Sequence, residues 1–185
     1  IEISTVGGWL ACRGGGQLSS RYGKIEDIVV GLKAVLPDGS PLEVRPVARR
    51  SVGPSIRDLM IGSEGTLGII TEATLRIFKM PAVERGVVLA FPSLQAALDS
   101  ARLIMQAELR PTIVRLYDRV ESDERTKDIA LFKTKPFLAV LQFCGSEPMV
   151  TAEQSMALEI AAMQGGEVGP DGPYQHWKQN RYVAY

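Results

Sequence analysis

Gly62-Ser63-Glu64-Gly65-Thr66-Leu67-Gly68-Ile69-Ile70-Thr71-Glu72 decides the fold. Three glycines and small hydroxyl residues stand ahead of an alternating apolar run, the pattern of a tight turn feeding a strand. Glycine takes positive φ and lets a ligand reach the backbone, because no Cβ intervenes. Successive N–H groups in such a turn form a concavity for an anion such as a pyrophosphate, and Ser63 and Thr66 add hydroxyl donors. Glu64 departs from that picture unless it points away or takes a sugar hydroxyl. Such a turn is also ordinary punctuation between elements, so a second feature must decide.

That feature lies upstream, in Ser4-Thr5-Val6-Gly7-Gly8-Trp9, then Cys12-Arg13-Gly14-Gly15-Gly16, then the run from Arg21 to Val30, RYGKIEDIVV. A hairpin signal follows. Pro37-Asp38-Gly39-Ser40 separates Ile25–Leu36 from Pro41–Val44, and Gly39 supplies the positive φ that a tight turn needs. Ser55 is a helix N-cap ahead of Ile56–Ile61, and Gly68–Phe78 reads as a long strand. In this order the segments resemble the second half of the FAD-binding domain of the vanillyl-alcohol oxidase superfamily. Trp9 and the IEDIVV segment bring the chain nearer the alkyldihydroxyacetonephosphate synthases than the glycolate oxidases or D-lactate dehydrogenases. AFPS, VRLYD and NRYVAY continue the match more loosely.

Pro81 marks a boundary, and from Gly86 strands alternate with amphipathic helices. Val87–Phe91, Thr112–Tyr117 and Phe137–Phe143 read as strands, and Ser93 caps a helix to about Ala107. Arg119–Asp128 reads as a polar connector. Ala152–Met163 reads as a helix with Met156, Ile160 and Met163 near one face, closed by Gly165-Gly166. The order suggests a small antiparallel sheet with helices on one side, a ferredoxin-like arrangement. The expected class is α+β: residues 1–82 the C-terminal portion of a PCMH-type FAD-binding domain, and 86–185 part of a substrate-binding cap.

The resemblance implies noncovalent FAD. Position by position it nominates Ser4, Thr5, Gly7, Gly8, Cys12, Arg13, Gly14 and Gly15, then Glu64, Gly65, Thr66, Leu67, Gly68, Ile69 and Ile70 as cofactor-lining. Arg13 either pairs with a flavin phosphate or faces solvent. Cys12 reads as a small buried filler rather than a nucleophile, since no histidine is near in sequence. His176, beside Tyr174 and Trp177, reads as a packing or surface residue. Arg115 is the catalytic nominee. It shares a strand face with Ile113 and Tyr117, and in the resembled synthases the arginine of this segment lies near the flavin; the alternative is an edge-strand arginine paired with a local acid.

Composition narrows the remaining classes. The 185 residues are 45% hydrophobic and 23% charged, with 21 basic and 21 acidic side chains, so no net field recruits nucleic acid or an anionic surface. Two cysteines and one histidine supply neither a disulfide framework nor a multi-histidine metal centre, and suggest a reducing compartment. No apolar run is long enough to span a bilayer. Arg45, Arg49 and Arg50 read as a solvated loop.

The chain opens on strand-like Ile1-Glu2-Ile3 and closes on Tyr182–Tyr185 without a polar tail, and reads as a piece of a longer protein. The resemblance places a PGGGTS-like pyrophosphate loop before it, and a catalytic tyrosine with a histidine-rich loop after it. For the parent it implies acyl-to-alkyl exchange on acyl-dihydroxyacetone phosphate, a small or lipid-like substrate, and a cytoplasmic setting (peroxisomal in a eukaryote), with homodimerisation left open. FAD-linked oxidation of a 2-hydroxy acid such as glycolate or D-lactate shares the same motifs. A non-catalytic binding domain is the reading of another class.

Overall fold

The computed structural model describes residues 4–181 and divides into two compact units, one through Lys79 and one from Met80. The readings of Ile1–Ile3 and Tyr182–Tyr185 lie outside the described residues.

The first unit orders α1 (Val6–Ala11), α2 (Ser19–Tyr22), α3 (Ile25–Ile28), β1 (Val29–Val35), β2 (Pro41–Val44), α4 (Ile56–Met60) and β3 (Ile69–Leu75). β1 is the middle strand, antiparallel to β2 and β3. Its alternation places Leu32 and Ala34 in a core with Leu10, Val44 and Met60, so the short α1 is anchored through Leu10. Ile25–Ile28 is a helical turn rather than the start of the strand, because Asp27 Oδ2 accepts from the Lys24 N–H and closes a capping box. The hairpin forms at Asp38-Gly39, with Gly39 at φ 83°. Ser55 caps α4 by accepting from the Asp58 N–H. β3 ends at Leu75, short of the expected Phe78.

Gly31 was not singled out by its sequence context. A Cβ there would meet the Pro46 backbone at 2.8 Å, so the chain leaving β2 passes directly over β1.

The second unit orders β4 (Val83–Phe91), α5 (Leu94–Gln106), β5 (Ile113–Leu116), α6 (Arg119–Thr126), α7 (Leu131–Thr134), β6 (Phe137–Gly145), α8 (Glu147–Met163), β7 (Glu167–Val168) and α9 (Gly172–Asn180). The strand order β5-β6-β4-β7, with antiparallel neighbours, is the ferredoxin-like βαββαβ arrangement. Ser93 caps α5, which ends at Gln106 with Ala107 as its C-cap, close to the expected end.

Helices cover both faces of this sheet, not one. Val87, Leu89 and Phe91 of β4 pack with α5 and α8. The alternate residues Val88 and Ala90, with Leu138 and Val140 of β6, are just as buried, and α9 covers this second face by laying the Tyr174 ring on Gly86. An apolar second face cannot be left to water, which is why Phe137–Leu141 is a continuous apolar run instead of an alternating one.

Two further expectations change. Arg119–Asp128 is mostly the helix α6, and α8 begins at Glu147, with Pro148 in its first turn. On α8 the buried positions are Val150, Glu153, Ala157 and Ala161, while Met156 and Met163 are exposed.

Candidate functional site

Thr5 sets the geometry of the first motif. Its Oγ1 accepts from the Gly8 N–H and caps α1, so Gly7 and Gly8 lie within the first turn of a helix that has no acidic side chain there. The Trp9 indole N–H donates to Ser4 Oγ at 3.0 Å. At the other end of α1 the backbone turns left-handed at Arg13, φ 52°. The Gly14 N–H bonds the Trp9 carbonyl, and the Gly14 carbonyl accepts from Ile25.

The second motif docks on this turn, some fifty residues later in the chain. The Gly62 N–H donates to the Leu10 carbonyl at 2.8 Å, and the Glu64 N–H to the Ala11 carbonyl at 3.1 Å. Glu64 therefore contributes through its backbone. Gly62, Glu64 and Gly65 take φ of 83°, 49° and 83°. Thr66 Oγ1 closes the turn on the Ser63 carbonyl. Gly62 was not among the nominated residues, yet it makes the joint, and the signal for it was the glycine opening the motif.

The glycines divide into two kinds. Nothing lies within 4 Å of where a Cβ of Gly7 or Gly65 would stand, whereas a Cβ on Gly68 would come 2.6 Å from the Val35 carbonyl oxygen. Gly68 therefore serves β3–β1 packing, and Gly7 and Gly65 leave open backbone at the surface. Leu67 and Ile69 are exposed beside Gly65, Ile69 to 71%, and Ile70 packs on the core.

Cys12 corrects its expectation: as C-cap of α1 it is exposed, not a buried filler. Of its two expected roles Arg13 shows the solvent-facing one: it is exposed, with Glu26 3.8 Å away. Gly15 faces the Lys24 side chain. The Arg57 guanidinium beside Asp58 holds that carboxyl below the usual carboxylate range, helped by Ser55.

Arg115 lies in the second unit on β5, opposite Val140 and half-buried, on the sheet face away from α5 and α8. Its guanidinium carbon sits 5.2 Å from the Tyr117 ring centre, and that of Arg125 4.8 Å. The edge-strand alternative required a local acid, and among the described residues no carboxylate pairs with Arg115. Burial pushes the Tyr117 phenol above its ordinary 10.0, against the pull of Arg115 and Arg125. His176 is exposed. Among the described residues no cluster of histidine, cysteine and carboxylate groups is arranged for a metal, and no helix is long and apolar enough to cross a membrane.

The family model for the FAD binding domain matches residues 1–45, and that for the FAD linked oxidases, C-terminal domain, matches residues 80–183, more than half of the chain. The chain belongs to the FAD-linked oxidase family. FAD is the cofactor of that family, and the exposed backbone at Gly7 and Gly65 is the kind of Cβ-free surface such a group requires.

This FAD-linked oxidase chain is 40% identical to the alkyldihydroxyacetonephosphate synthase of Caenorhabditis elegans over 64% of its own length and 20% of the relative's. It is 34% identical to the mitochondrial D-lactate dehydrogenase (cytochrome) of Arabidopsis thaliana, over 95% of itself and 32% of that protein. A solved structure of alkyldihydroxyacetonephosphate synthase superposes with a TM-score of 0.82 at 28% identity, covering 99% of this chain and 37% of that one. The chain thus spans a third or less of the length of these curated relatives.

Proposed function

We propose that residues 1–82 form one wall of the FAD site, and residues 86–185 part of the substrate-binding cap, of an FAD-dependent enzyme that exchanges the acyl group of acyl-dihydroxyacetone phosphate for a fatty alcohol. The observation that supports the flavin is the docking of the Gly62–Gly68 turn on the C-terminal end of α1 through two backbone hydrogen bonds. Likeness to the synthases in sequence and structure supports the exchange.

When bound, FAD supplies an electron-poor ring system that activates the substrate carbon. The chain's own residues hold and orient. Gly7, Gly8 and Gly65 let a flat ring or diphosphate lie against the backbone, Thr5 keeps the first turn of α1 in place, and Arg115 presents a fixed positive charge to an anionic substrate. In the exchange a fatty alcohol enters and a fatty acid leaves, with no net change in oxidation state. A homodimer in the cytoplasm, or in the peroxisome of a eukaryote, accompanies this reading.

The second reading is oxidation of a 2-hydroxy acid, favoured by the D-lactate dehydrogenase likeness running over 95% of the chain. The full-length protein separates the two under anaerobic conditions. Incorporation of labelled hexadecanol with release of fatty acid from acyl-dihydroxyacetone phosphate is the expected result. Bleaching of the flavin by D-lactate or glycolate, without incorporation, would establish the second reading instead. Neither response would leave a binding domain.

A further inference from the structure

We infer that Tyr117 is the positioning residue of Arg115: its ring clamps that guanidinium, while Arg125 is tied to Glu121 and no carboxylate among the described residues pairs with Arg115. The inference rests on the role proposed for Arg115 above.

A cation over an aromatic face is attracted by the ring quadrupole, more strongly as water is excluded. Tyr117 is only 1% exposed, the largest of the fully buried side chains. Its backbone is fixed from two sides. The Tyr117 N–H donates to the Leu138 carbonyl at 2.9 Å, and its own carbonyl accepts from Ser122 Oγ, which in turn accepts from the Leu138 N–H. The strand position that carries the buried ring is therefore held in place.

Two guanidiniums on one ring repel each other unless one is neutralised. Glu121, one turn earlier on α6, lies 3.6 Å from Arg125 and does so. Asp118 fixes that turn by accepting from the Glu121 N–H at 2.8 Å. Arg115 has no such acid among the described residues, and the Tyr117 ring is the contact that orders it. A strand arginine held by a ring keeps its full charge and all its N–H donors for a ligand, which an arginine spent on a carboxylate does not.

The test is arginine modification by phenylglyoxal in the full-length protein, followed peptide by peptide, with Arg102 and Arg119 as surface references. In Tyr117→Leu, and in Tyr117→Met should the leucine variant fail to fold, Arg115 is expected to react about three- to tenfold faster. Tyr117→Phe, which keeps the ring, should restore the wild-type rate, and the references should not move. An Arg115 rate in the leucine or methionine variant equal to wild type, or a phenylalanine variant as fast as leucine, overturns the inference whatever the turnover. The reading beneath it has its own readout: Arg115→Lys should lower turnover of acyl-dihydroxyacetone phosphate or D-lactate, and unchanged turnover of both overturns that reading.

Discussion

Gly65 and Gly68 stand three residues apart in one motif and do different work. Gly65, at φ 83° with open space beyond its Cα, bears only the cost of a left-handed conformation when replaced. Gly65→Ala should therefore lower stability by about 1–2 kcal/mol. Gly68→Ala meets the Val35 carbonyl oxygen and adds overpacking, for a total of about 3 kcal/mol or more. Urea denaturation of the two variants checks the order, and equal losses would contradict it. At this scale the sequence was legible where glycine chemistry is local: the positive φ of Gly39 and Gly65 followed from their turns. It was not legible where a glycine answers to a distant strand. Gly31 and Gly86 are required by Pro46 and Tyr174, and no local pattern names those partners.

Among the elements, α6 shows how a helix escapes notice when it lacks an apolar stripe. Its eight residues are almost all polar, and its buried positions are the small Ser122 and Thr126. The available signal was Asp118 followed three residues later by Glu121, an N-cap pattern, and Asp118 does accept from the Glu121 N–H. Ser122 makes the helix part of the sheet by accepting from the Leu138 N–H on β6. Ser122→Ala leaves that buried N–H without a partner and should cost about 1–3 kcal/mol. Asp118→Ala, which loses only an exposed cap, should cost about 1 kcal/mol. Thermal unfolding distinguishes them, and a milder effect at Ser122 than at Asp118 would show that α6 is not tied to β6. By contrast α5 was readable end to end, because Ser93 and an amphipathic run act within thirteen residues.

At the scale of the molecule, order along the chain carried more than any single motif. The three-stranded sheet follows from the Asp-Gly hairpin and the alternating strand after the glycine turn, and the ferredoxin-like sheet from the succession of strands and helices. The second layer of cover, α9 over β4, was hidden because a buried apolar run does not say what buries it. The meeting of α1 with the Gly62–Gly68 turn rests on two backbone hydrogen bonds, which leave no mark in side-chain identity. That meeting is the centre of the functional account, and flavin content tests it most directly. Full-length protein, wild type and Gly65→Val, is purified, its visible absorbance recorded, and the released cofactor measured. The account predicts noncovalent FAD at about one per chain in the wild type, and its loss in a variant that stays folded by circular dichroism, because a β-branched residue at φ 83° would displace the open backbone. A wild-type protein that takes up no FAD, or a folded Gly65→Val protein with undiminished flavin, would contradict it.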